Sequence, residues 1–106
     1  MRYEYVATKG TAPFTIGTTP FALYTVVIPH NLGYVPFYKM RYKYTGDDRY
    51  FDMFAGVDSY DIAGNDKQVY DIVADTTNIT VTFTDGGGGT GATGNVYYRI
   101  YAEPKL

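Results

Sequence analysis

Cysteine is absent from this chain of 106 residues, and tryptophan with it. Without Cys there are no disulfide staples, no Cys-ligated zinc and no thiol or redox catalysis, so the fold must hold by apolar burial and backbone pairing alone. A single histidine, His30, excludes any triad or metal centre that needs two imidazoles. Only two glutamates are present, Glu4 and Glu103, both near the ends, which leaves a glycosidase carboxylate pair to be made from aspartates, with no positive sign of one. An excess of positive charge is also missing: the formal net charge is −2 and the pI is near 5.1, so duplex DNA is not an expected partner.

No run approaches the roughly 18 consecutive apolar residues of a membrane span, and Met1-Arg2-Tyr3-Glu4-Tyr5 lacks the apolar stretch of a secretory signal. No membrane partner is expected. The starting Met and short length favour a free-standing protein over a piece of a long fibre. Helical periodicity is lacking too, because Gly or Pro interrupts nearly every window long enough for a helix.

What the chain does have is aromatic residues: 13 Tyr and 6 Phe, which favour half-buried pleated surfaces. Hydrophobic residues at 45% and charged residues at 19% match a folding domain, and the length suits one domain over residues 1–106. Leu23 to Ile28 is β-branched and aromatic and runs into Pro29-His30-Asn31-Leu32-Gly33, a strand entering a turn. Tyr38, Met40, Tyr42 and Tyr44 alternate with Lys39, Arg41 and Lys43, giving one apolar and one cationic face. Thr45-Gly46-Asp47-Asp48 reads as a turn. Ile79, Val81 and Phe83 alternate with Thr80, Thr82 and Thr84, and Asn95 to Ala102 is equally β-prone. The glycine-rich connection Asp85 to Gly94 predicts a hairpin between these last two strands, with no regular structure at its tip. Weaker strand signals cover Arg2 to Ala7, Tyr50 to Phe54 and Gln68 to Val73. Six or seven short antiparallel strands of this kind predict an all-β fold, an antiparallel β-sandwich or a partly open barrel.

Candidate site residues are few. His30, Asn31, Gly33 and Tyr34 form a turn motif in which His and Asn side chains serve loop backbone, a structural corner in preference to a catalytic one. The acids gather in the middle: Asp47, Asp48, Asp52, Asp58, Asp61, Asp66, Asp71 and Asp75. Asp58-Ser59-Tyr60-Asp61 with Asn65-Asp66 is the best local calcium candidate, but its spacing is not that of an EF-hand, and Asp and Asn also form plain turns. Gly86 to Gly94 lacks the Lys-Ser or Lys-Thr ending of a phosphate loop. No catalytic residue, metal or cofactor is therefore expected. Tyr97, Tyr98 and Tyr101 are candidate interface residues, since Tyr combines a flat face with a polar tip.

Thr25-Val26-Val27-Ile28-Pro29-His30-Asn31-Leu32-Gly33-Tyr34-Val35-Pro36 resembles the strand, turn and Pro-led second strand of small tail-associated and other virion proteins of bacteriophages. Thr76 to Val81 and Tyr97 to Tyr101 are similar to the closing hairpin of those proteins, and the strand order resembles that of the H-type lectins, whose six-stranded sandwiches assemble as trimers. The resemblance implies an H-type-lectin-like β-sandwich without enzymatic activity, located in the virion as a capsid-decoration, tail or fibre module. Its implied partners are copies of itself, as a homotrimer, and other virion proteins, with a host-surface glycan as the alternative ligand. The resemblance brings no catalytic or sugar-binding residue with it.

Overall fold

The computed structural model describes residues 6–19, 21–53, 68–85 and 91–102. Seven strands run in order: β1 (Val6–Ile16), β2 (Leu23–Pro29), β3 (Tyr38–Tyr44), β4 (Phe51–Asp52), β5 (Gln68–Ala74), β6 (Asn78–Thr84) and β7 (Ala92–Tyr101). They pair antiparallel into a four-stranded sheet, β1-β7-β3-β4, and a three-stranded sheet, β2-β6-β5, which form a β-sandwich.

The alternation seen in the sequence sets which face is buried. Met40, Tyr42 and Tyr44 point into the sandwich, while Lys39 and Arg41 are exposed and Lys43 is half-buried on the outer face. Ile79, Val81 and Phe83 are buried from the other sheet. The layers meet where Phe14 of β1 stacks on Phe83 of β6, ring centroids 4.4 Å apart and planes inclined by 18°. Tyr42 meets the same Phe83 edge-on at 5.8 Å. This aromatic contact joins two sheets that share no hydrogen-bonded strand.

Two glycines let large rings into the core. Phe14, Gly94 and Tyr44 are direct cross-strand neighbours on β1, β7 and β3. Because Gly94 has no side chain, the flanking rings close over it, with centroids 5.8 Å apart. Gly10 similarly lies under the Tyr98 phenol, whose oxygen would be 2.7 Å from a Cβ at position 10.

The strand reading is corrected at four places. The hairpin expected between residues 78–84 and 95–102 does not form: β6 is the centre of the three-stranded sheet and β7 lies between β1 and β3, so the connection crosses between layers. Both strands already have neighbours on each side, which leaves no edge for them to share. The strand read over Arg2 to Ala7 instead spans Val6–Ile16, residues 1–5 lying outside the described residues. Pro13 is accommodated there because β1 is an edge strand. The last strand begins at Ala92, so Ala92, Thr93 and Gly94 belong to β7 and not to an irregular connection. The candidate strand Tyr50 to Phe54 is reduced to Phe51–Asp52, with Phe54 outside the described residues.

Candidate functional site

The turn motif is built from the backbone outward. Asn31 and Gly33 take the left-handed conformation, with φ of 55° and 81°. This turn brings the backbone N–H groups of His30 and Asn31 onto the Thr77 carbonyl at 2.8 and 3.0 Å, and that of Gly33 onto Thr76 at 2.9 Å. The His30 ring then spans the corner. Its Nδ1 accepts from the Leu32 N–H at 3.0 Å, so Nε2 carries the proton and donates to the Asp75 carbonyl at 2.9 Å. Asp75 caps the same corner, its Oδ1 accepting from the backbone N–H of Thr77 at 2.8 Å and of Asn78 at 2.6 Å. These bonds, with smaller help from the Thr77 hydroxyl and the nearby His30, hold the Asp75 carboxyl below the usual carboxylate range. The imidazole therefore joins the β2–β3 connection to the β5–β6 turn, and both ring nitrogens are engaged. Tyr34 is half-buried beside this corner in sequence.

The outer face of the four-stranded sheet has a different chemistry. Register places Lys9, Arg99 and Lys39 directly opposite one another on β1, β7 and β3, and Thr11, Tyr97 and Arg41 in a parallel row two residues away. Between the rows the backbone of Gly10, Tyr98 and Met40 forms the floor of a half-open groove of about 590 Å³. Tyr50 lines it beside the second row, meeting Tyr97 edge-on at a centroid distance of 5.3 Å, with the Lys43 Nζ 5.3 Å over its ring. Five of the nine Lys and Arg residues in the chain (Lys9, Lys39, Arg41, Lys43 and Arg99) thus share one sheet face. Arg41 is paired with Asp52 at 3.2 Å, whereas Lys9, Lys39 and Arg99 enter no ion pair among the described residues.

The three candidate interface tyrosines divide between faces. Tyr97 and Tyr101 alternate onto the outer face with Arg99, and both are half-buried. Tyr98 points inward and packs against the core over Gly10, so it contributes backbone, and no outward-facing phenol, to that surface. The outer face of the three-stranded sheet is nearly neutral and β-branched. Leu23, Thr25 and Val27 flank Thr80 and Thr82, with Val73 and Asp71 on the other side. Leu23, Val27 and Val73 are more than half exposed, as is Tyr70, which sits at the irregularity between Val69 and Asp71.

Of the acids, Asp47 pairs with Arg49 at 2.8 Å and also accepts from its backbone N–H at 2.9 Å. The Arg49 side chain, followed by that N–H, lowers its carboxyl to about 2. Asp58, Asp61, Asn65 and Asp66, the calcium candidate, lie outside the described residues, as do Gly86 to Thr90. Among the described residues, no three His, Cys, Asp or Glu side chains gather around a common metal position, and no helix is long and apolar enough to cross a membrane. Asp85 was legible only as part of the glycine-rich connection. It is fully buried at the end of β6, and neither carboxyl oxygen has a hydrogen-bond partner among the described residues. The cationic rows escaped sequence reading as well, since positions 9, 39 and 99 become neighbours only through the strand order. Comparison with known protein families, curated proteins and solved structures finds no match for this chain.

Proposed function

We propose that this chain is a non-enzymatic structural protein of a bacteriophage virion, a capsid-decoration, tail or fibre module. It works by assembling with copies of itself as a homotrimer and with neighbouring virion proteins. The observation that carries this reading is the uncovered outer face of β2, β6 and β5, where Leu23, Val27 and Val73 stand exposed among threonines. Such an apolar surface gains by leaving water, and among the described residues Asp71 is the one charged residue paired within it. Turned toward a three-fold axis, the opposite sheet face would crowd the cations of neighbouring copies together, so copies meet through the three-stranded sheet. The two antiparallel sheets form a β-sandwich, the general architecture this reading requires.

Light scattering at micromolar concentration tests it. The expected mass is that of three 11.8 kDa chains, and Val27→Lys with Val73→Lys should release folded monomers. A wild-type protein that stays monomeric and does not associate with particles would overturn the reading. The groove favours a second reading, a carbohydrate-binding, receptor-recognition module in which Tyr50 and Tyr97 offer ring surface to a sugar. A glycan array probed in calcium and again in chelator tests this alternative, and silence in both conditions removes it.

A further inference from the structure

We infer that the groove across β1, β7 and β3 is a site for an acidic glycan, a sugar chain carrying sulfate or carboxylate groups; this inference rests on the carbohydrate-binding reading. Lys9, Arg99 and Lys39 lie directly opposite one another across adjacent strands, one cation per strand at a spacing of about 4.8 Å. Like charges in that relation repel, and no acid among the described residues neutralises any of the three. A row of this kind costs stability in the free protein, and the cost is reversed when anionic groups settle between the cations.

The rest of the groove selects the type of anion. Its second wall carries Arg41, Tyr97 and the Thr11 hydroxyl, with Tyr50 against Tyr97. A chain that alternates acidic groups with hydroxyls can meet the first wall with its charges and the second with its hydroxyls, while a pyranose face lies on a tyrosine ring. Bare polyphosphate electrostatics are a poorer fit. Arg41 is already held by Asp52 at 3.2 Å, so one wall is cationic and the other close to neutral, which matches a chain of mixed acidic groups and hydroxyls better than one that carries a phosphate at every step. The groove crosses the strands, so an extended ligand would lie perpendicular to them, over about two inter-strand spacings.

Dextran sulfate, uncharged dextran and single-stranded oligothymidylate, titrated in turn against the full chain, test the inference. Dextran sulfate should bind, dextran should bind at least tenfold more weakly, and oligothymidylate should fail to displace the sulfated chain at equal charge concentration. The double variant Lys39→Ser, Arg99→Ser should lose about tenfold or more in affinity, with a salt dependence shallower by about two charges. Thr18→Glu, a charge change in the exposed bend after β1, should leave affinity unchanged. Unchanged circular dichroism in the variants guards against loss of fold.

Equal binding of both dextrans would overturn the acidic requirement while leaving the carbohydrate reading in place. Failure to bind either would count against both. Displacement by oligothymidylate would show a general polyanion surface and overturn the sugar assignment, and full affinity in the double variant would remove the groove as the site.

Discussion

Gly94→Ala should be among the most damaging single-methyl additions this fold can receive. A Cβ on Gly94 points into the sandwich, onto the Lys43 carbonyl oxygen of β3 and within 2.7 and 2.8 Å of the Cζ and Cε2 atoms of Phe14. The ring cannot simply swing away, because it is stacked on Phe83 and meets Tyr42 and Tyr44 edge-on. The carbonyl is backbone and moves only if β3 and β7 separate. Overpacking a tight site costs about 1–3 kcal/mol, and a weakened ladder bond or two adds about 1 kcal/mol each, so the total is roughly 2–5 kcal/mol. Against a typical stability of roughly 5–15 kcal/mol, that leaves a marginal protein.

Urea denaturation followed by circular dichroism or tyrosine fluorescence would measure it, there being no Trp in the chain. Gly46→Ala supplies the scale. Gly46 has a φ of 84° with open space around it, so its substitution carries only the left-handed backbone cost of about 1–2 kcal/mol. Adding Phe14→Leu to Gly94→Ala should recover part of the loss and no more, since the clash with the Lys43 carbonyl remains. If Gly94→Ala loses less than about 1 kcal/mol, or no more than Gly46→Ala, the account of rings closing over a missing side chain is wrong.

Arg99→Glu should stabilise the free protein, because two like-charged neighbours become two opposite pairs at about 0.2–1 kcal/mol each, while abolishing retention on a sulfated matrix. A rise in the urea midpoint without loss of binding would separate the cation row from the ligand. His30→Ala should cost roughly 1–3 kcal/mol through the two ring hydrogen bonds that tie the corner, visible as faster amide exchange at Leu32 and in the 75–78 turn. Asp47 should titrate near 2 by NMR, and Arg49→Ser should return it toward the ordinary 3.8. The folded pKa lies below the unfolded one, so the stabilisation from Asp47 is present above about pH 4 and fades as the pH falls through about 2. Asp75, lowered in the same direction, contributes with the same sign.

β3 and β6 were legible in the sequence because one face of each is buried and the other is not, which writes a two-residue period into the chain. β1 was not legible beyond its start. Among Lys9, Gly10 and Pro13 only Phe14 and Ile16 are buried hydrophobics, and an edge strand tolerates a proline that a central one would reject. The His30 corner could be read as a turn because Asn and Gly there signal positive φ, but its partners at 75–77 were invisible to local pattern. The groove is the extreme case. Lys39, Arg41 and Lys43 give a cationic strand face from the sequence alone, yet a row of three cations across strands requires knowing that β7 lies between β1 and β3, and side-chain periodicity contains no information about strand order.

The pairing of β1 with β7 alone has a consequence for how the protein is made. Among the described strands, the first to leave the ribosome finds its sheet neighbour in the last, so Phe14 and Ile16 wait for that neighbour until β7 has been made. Closure of such a distant pair is slow, in the millisecond to second range of other β-rich topologies, and the waiting segment is open to capture by other nascent chains. Yield should therefore depend on holding chaperones and on slow growth at low temperature more steeply than on the stability of the finished fold.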